Sequence, residues 1–126
     1  MDKRIFSVLV IDDEPDVLKS IQLCLRSGVK LSVTTEPKKG LEMARTQNPD
    51  VILCDAAMPG LSGPEVITTL KNDPATAHIP VILMTAVAEA HMFSHVPWTS
   101  FLSKPFGAKE LREAIVCAAK SAMPKN

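Results

Sequence analysis

A chain of 126 residues, 46% of them apolar, has the size of one domain and enough apolar content to bury a core. Fourteen acidic residues balance fourteen basic ones, so no strong field draws the chain to nucleic acid or to an anionic membrane surface. The longest apolar runs fall far short of the roughly 18 residues that a spanning helix needs, and Met1-Asp2-Lys3-Arg4 leads into no signal-peptide core. Three widely spaced cysteines (Cys24, Cys54, Cys117) without a CxxC argue against a disulfide framework or zinc ribbon, and suit packing in a reducing cytoplasm.

In chain order, residues 5–11 form a continuous β-rich apolar run, the mark of a strand covered on both faces. Residues 15–27 place Val17, Leu18, Ile21, Cys24 and Leu25 at helical spacing, with Pro15 in the first turn and Gly28 just past the end. Residues 31–35 read as a more polar edge strand, and 37–47 as a helix with Leu41, Met43 and Ala44 inward. Residues 51–55 are the third strand. Pro59-Gly60 and Ser62-Gly63 mark a loop, and residues 64–72 continue as a helix through Val66, Ile67 and Leu70. A connection from Asp73-Pro74 to Pro80 leads to a strand at 81–84. A short helix is expected at 88–95, stopped by Pro97, then a fifth strand at 100–103. Residues 108–122 form the last helix, with Leu111, Ala114, Ile115, Ala118 and Ala119 on one face. No linker or repeat interrupts this order, so a single domain over 1–126 without an effector domain is expected.

Five βα units joined by short connections imply a parallel sheet with helices on both faces, because right-handed crossovers place them there. The carboxyl ends of the strands then share one edge, where open α/β sheets bind their ligands. Asp12-Asp13, Asp55, Thr85 and Lys104 stand at four of those ends. Three crowded carboxylates repel one another unless a cation neutralises them. A hard divalent ion with oxygen ligands answers that need, and magnesium fits best. Lys104 supplies a point charge for phosphate oxygens and Thr85 a hydroxyl donor. Alone, each piece reads as an ordinary cap, turn or helix start; their coincidence at four strand ends is what points to a phosphate site.

Four segments carry a family resemblance: Val10-Ile11-Asp12-Asp13-Glu14-Pro15, then Pro49 to Gly60 with Asp55 followed by Met58-Pro59-Gly60, then Ile79 to Ala86, and Lys104-Pro105-Phe106. Together they resemble the receiver domain of two-component response regulators over essentially all 126 residues. The resemblance implies a doubly wound, flavodoxin-like (β/α)5 sheet of five parallel strands in the order 2-1-3-4-5. It implies that Asp55 accepts a phosphoryl group from a histidine kinase or histidine phosphotransfer protein, and that the chain is no enzyme beyond its own phosphotransfer and dephosphorylation. Asp12, Asp13, Asp55 and the Ala57 carbonyl would hold Mg2+, with Asp12 acting partly through water. Thr85, the Ala86 amide and Lys104 would hold phosphate oxygens. Phe101 would switch with Thr85, or else be a plain core residue. Pro105 would follow a cis peptide bond.

The 85–104 segment is a few residues shorter than receivers usually are, and Val96-Pro97-Trp98-Thr99 replaces the usual Gly-Ala turn. Four of the five aromatics (Phe93, Trp98, Phe101, Phe106) fall in or beside it. They are expected either to form a partner surface, with an effector docking on the 88–122 region, or to plug the gap left by a shorter helix. Ala57 and Val87 stand where some receivers carry side chains that orient water, so slow loss of the phosphoryl group is expected. His91 and His95, spaced i, i+4, lack a third metal ligand and read as surface residues; neither they nor His78 looks like a phosphocarrier. A receiver-like binding module working without phosphorylation is the alternative. An aspartyl-phosphate phosphatase would favour a second carboxylate where Ala57 stands, and a flavin protein would not place Asp12-Asp13-Glu14 in its first loop.

Overall fold

In the computed structural model, the residues described are 6–25, 27–86 and 99–122. Five strands, β1 (Phe6–Ile11), β2 (Val29–Thr34), β3 (Val51–Asp55), β4 (Val81–Ala86) and β5 (Thr99–Lys104), form one sheet. Every pair is parallel, and the order is β2-β1-β3-β4-β5. The described helices are α1 (Pro15–Cys24), α2 (Pro37–Gln47), α3 (Gly63–Lys71) and α4 (Ala108–Ala122). The helix expected at 88–95 lies outside the described residues.

Alternation along the strands divides the core in two. Val8, Val10, Leu53, Ile82, Met84 and Leu102 pack with Leu18 and Ile21 of α1 and with Leu111 and Ile115 of α4. Leu9, Ile11, Ile52, Cys54, Val81 and Leu83 pack on the opposite face with Ala44 of α2 and with Val66, Ile67 and Leu70 of α3. Strands β1, β3 and β4 are apolar on both faces because helices cover both. Strand β2 is the edge strand that its polar sequence suggested, with Lys30 exposed and Ser32 half-buried.

Several boundaries differ from the sequence reading, each for a local reason. Helix α1 stops at Cys24 rather than at residue 27, because Leu25 leaves helical geometry (φ −113°, ψ 52°) and Gly28 takes a left-handed φ of 79°. That early stop lets β2 begin at Val29, opposite Phe6. Helix α3 starts one residue sooner than expected. Ser62 caps it by accepting from the Glu65 amide, while Glu65 accepts from the Ser62 amide. Strands β4 and β5 run past their apolar segments, since the pairing continues through Thr85↔Ser103 and Ala86↔Lys104. Thr85 and Lys104 are therefore ladder residues, not loop residues beyond the sheet.

Candidate functional site

The neighbouring strands β1, β3, β4 and β5 bring their carboxyl ends to one crevice. Asp12 follows β1 and is fully buried. Its Oδ1 accepts the Glu14 amide at 3.0 Å, which fixes the turn into α1, and its Oδ2 accepts Lys104 Nζ at 3.1 Å. Asp55 closes β3, also buried, and its Oδ1 accepts the same ammonium at 3.1 Å. Lys104 thus bridges two carboxylates that lie 92 and 49 residues away in sequence. Glu14 Oε1 stands 3.9 Å from Nζ.

Carboxylate oxygens of Asp12, Asp13, Glu14 and Asp55 lie within 4.8 Å of one another. One ammonium cannot balance four such charges. Burial pushes the Asp55 carboxyl up, its bond to Lys104 pulls it down, and the negative Asp12 raises it again, leaving it at about 6. For Lys104, burial acts downward, but its bonds to Asp55 and Asp12 prevail and the ammonium is held above its ordinary range. The donor set is all oxygen, anionic and clustered at one point, which fits a hard divalent cation. Glu14 joins the cluster in addition to the three aspartates that the strand ends point to. The signal was present in the run of three acids before Pro15.

Thr85 is buried on β4, and its Oγ1 has no hydrogen-bond partner among the described residues. A buried hydroxyl is seldom left so, and it marks a donor with nothing protein-made to meet. Ala86 is exposed beside it. Ala57 is exposed after Ala56, whose amide donates to Met84 O at 2.9 Å. The Lys104–Pro105 peptide is cis. Phe101 pairs with Leu83 and lies two positions before Ser103, the partner of Thr85, so all four side chains share a face. Phe101 is 39% exposed, so its ring is not enclosed in the core. Two depressions flank the crevice: one of about 400 Å³ bordered by Asp13, Lys38 and Gly60, the other of about 370 Å³ bordered by Val17, Ser20, Lys104 and Phe106. Val87, His91, Phe93, His95 and Trp98 lie outside the described residues, and His78 is exposed on the connection to β4.

Residues 8–116 match the family model described as the response regulator receiver domain. The chain belongs to that family. Among curated receivers it is similar to the polar-differentiation response regulator DivK of Brucella ovis, 33% identical over 113 residues that cover 86% of this chain and 92% of DivK. It is also similar to the response regulator PleD of Caulobacter vibrioides, 38% identical over 81 residues that cover 64% of this chain and 18% of PleD. The sensor histidine kinase TmoS of Ectopseudomonas mendocina is 30% identical over 86% of this chain, which covers 11% of that protein. The receiver thus spans less than a fifth of several of the curated relatives it matches. Among solved structures, a response regulator receiver domain protein from Clostridium thermocellum superposes with a TM-score of 0.82 at 29% identity, covering 93% of this chain and 96% of the other. The receiver domain of a sensor histidine kinase from Pseudomonas aeruginosa, described with a magnesium ion coordinated in its active-site cleft, superposes at 0.84. Its identity is 23%, with 92% and 98% of the two chains covered. That likeness speaks for the receiver fold. Among the described residues no helix is long and apolar enough to cross a membrane.

Proposed function

We propose that this receiver takes a phosphoryl group onto Asp55 from the phosphohistidine of a histidine kinase or histidine phosphotransfer protein. The observation that carries the reading is the buried Asp55 carboxylate, set among three other carboxylates and bonded to Lys104. In the transfer a carboxylate oxygen of Asp55 attacks phosphorus, the P–N bond to the histidine breaks, and the imidazole leaves with the bonding pair. The product is an acyl phosphate.

The carboxylates of Asp12, Asp13 and Asp55, with the Ala57 carbonyl, would hold Mg2+. The magnesium named in the Pseudomonas receiver's cleft supports that assignment. Bound there, the ion would neutralise the carboxylates and act as a Lewis acid toward phosphoryl oxygens. Lys104 moves from the Asp55 oxygen to a phosphate oxygen, its ammonium staying charged throughout. The Thr85 hydroxyl and the Ala86 amide donate to the remaining oxygens. Drawing Thr85 toward the phosphate frees space on the face it shares with Phe101, and the exposed Phe101 ring turns inward to fill it. That movement changes the surface offered to an effector along the 88–122 region. With Ala57 beside the acceptor and no polar side chain there to orient water, the acyl phosphate is lost slowly.

Incubation with a small acyl phosphate and Mg2+ tests the reading. A gain of one phosphoryl mass in the intact protein, absent in Asp55→Asn, supports it. No gain under conditions where the protein is folded favours instead a binding module that works without phosphorylation. Rapid loss of the phosphoryl group, unchanged in Ala57→Asn, would remove the slow-hydrolysis part alone.

A further inference from the structure

Helix α3 begins hard against the end of the strand that carries Asp55. A Cβ built on Gly63 would lie 2.6 Å from the Asp55 carbonyl oxygen, 2.8 Å from Ala56 Cα and 2.7 Å from Leu83 Cδ1. Two of those three atoms are backbone and cannot rotate away. Gly63 has no left-handed φ, so the requirement is for space rather than for a glycine conformation.

The close approach is bonded as well as tight. The Gly63 amide donates to Ala56 O at 2.9 Å, and the Ala56 amide donates to Met84 O at 2.9 Å. Ala56 is thereby clamped between α3 and β4, and it is 2% exposed. The next residue is Ala57, whose carbonyl is the backbone ligand assigned above to the cation. The start of α3 is held together by the Ser62–Glu65 capping box and by Pro64 in the first turn, so a side chain at position 63 displaces the helix start as a unit relative to the β3–α3 turn.

Gly40 offers an internal contrast. Its built Cβ would meet Ile11 at 2.5 Å from Cδ1 and 2.7 Å from Cγ1, both atoms of a side chain that can change rotamer. Both glycines permit close helix–sheet packing. At Gly63, but not at Gly40, the packing reaches the phosphoacceptor backbone.

We propose that Gly63 is a positioning residue for the cation site: its bare Cα lets α3 close on Asp55 and Ala56, and so sets the Ala57 carbonyl relative to the Asp55 carboxylate. This rests on the metal-assisted reading of the crevice. Any side chain at position 63 pushes the β3–α3 turn outward and moves the carbonyl away from the carboxylates. The cation then loses a ligand although every carboxylate is still present.

Calorimetric titration with Mg2+ tests this on wild type, Gly63→Ala and Gly40→Ala, each at a temperature where circular dichroism reports a folded protein. Gly63→Ala is expected to weaken Mg2+ binding about tenfold or more, the size of effect seen when a supporting contact of a metal ligand is lost. Gly40→Ala is expected to lower the melting temperature and leave Mg2+ affinity unchanged. Adding Leu83→Ala to Gly63→Ala should not restore the affinity, because the two backbone contacts remain. Wild-type affinity in Gly63→Ala, or equal weakening in Gly40→Ala, overturns the assignment to Gly63 while leaving the metal reading intact. Absence of Mg2+ binding in the wild type overturns both. Should Gly63→Ala fail to fold, hydrogen exchange on the wild type replaces it: because coupling is reciprocal, Mg2+ should slow exchange of the Gly63 amide far more than that of the Gly40 amide. Equal protection of the two amides contradicts the proposal.

Discussion

Lys104 is the residue on which the resting electrostatics of the crevice turn. Its ammonium serves buried Asp12 and Asp55 at once, and its side chain is 22% exposed. Lys104→Ala leaves two buried carboxylates without a cation. It should destabilise the metal-free protein by about 2 kcal/mol, less than for a fully dry pair because water reaches the lysine. Urea unfolding measures this, and Mg2+ should recover part of the loss. Asp55 itself works against the metal-free fold. Its carboxyl titrates near 6 in the folded protein against an ordinary value of 3.8. The folded state therefore binds more protons between those values, and the Asp55 contribution to stability falls as pH rises from about 4 through about 6. The melting temperature of Asp55→Asn should rise relative to wild type across that window. A constant difference from pH 4 to pH 7 would show that the carboxyl is not held up by its surroundings. The acidic pair, Asp55 and Lys104 are legible in the sequence as residue types at strand ends. The bridge that Lys104 makes is not, since nothing in local sequence links residues 92 and 49 positions apart.

At the scale of elements, apolar periodicity located every described strand and helix and faltered only at their ends. The apolar runs of β4 and β5 end at Met84 and Ser103, whereas the strands stop where pairing stops, two residues later at Ala86 and one later at Lys104. That difference matters because it puts Thr85 and Lys104 on rigid ladder positions. At α3 the missed boundary had a visible signal. Ser62-Gly63-Pro64-Glu65 spells the capping box that the structure forms. Removing the cap with Ser62→Ala should cost about 1 kcal/mol in chemical unfolding. The close approach of α3 to Asp55 had no comparable signal. A glycine after a serine in a Pro- and Gly-bearing loop reads as turn chemistry, and its packing role appears only once β3 and α3 are side by side.

Across the whole molecule, alternating strands and helices sufficed for a parallel sheet covered on both faces. The order β2-β1-β3-β4-β5 came from the family resemblance, because apolar strands alone do not state their neighbours. That order gathers the ends of β1, β3, β4 and β5 into one crevice and makes the charge cluster a property of the fold. A ligand bound only by the folded arrangement must stabilise it by mass action. Millimolar Mg2+ should raise the melting temperature at pH 7.5, do so less at pH 5 where protons compete for Asp55, and do so weakly in Asp13→Asn. An unchanged melting temperature at every pH would count against a cation site.

With Asp55 as the phosphoacceptor the product is an acyl phosphate, which has a chemistry of its own. Borohydride reduces an aspartyl phosphate, releasing phosphate and leaving homoserine in place of the aspartate. Phosphorylation with a small acyl phosphate and Mg2+, followed by borohydride and peptide mapping, should place homoserine at position 55. Homoserine at another aspartate, or none at all in a protein shown to be folded and Mg2+-bound, would contradict the account.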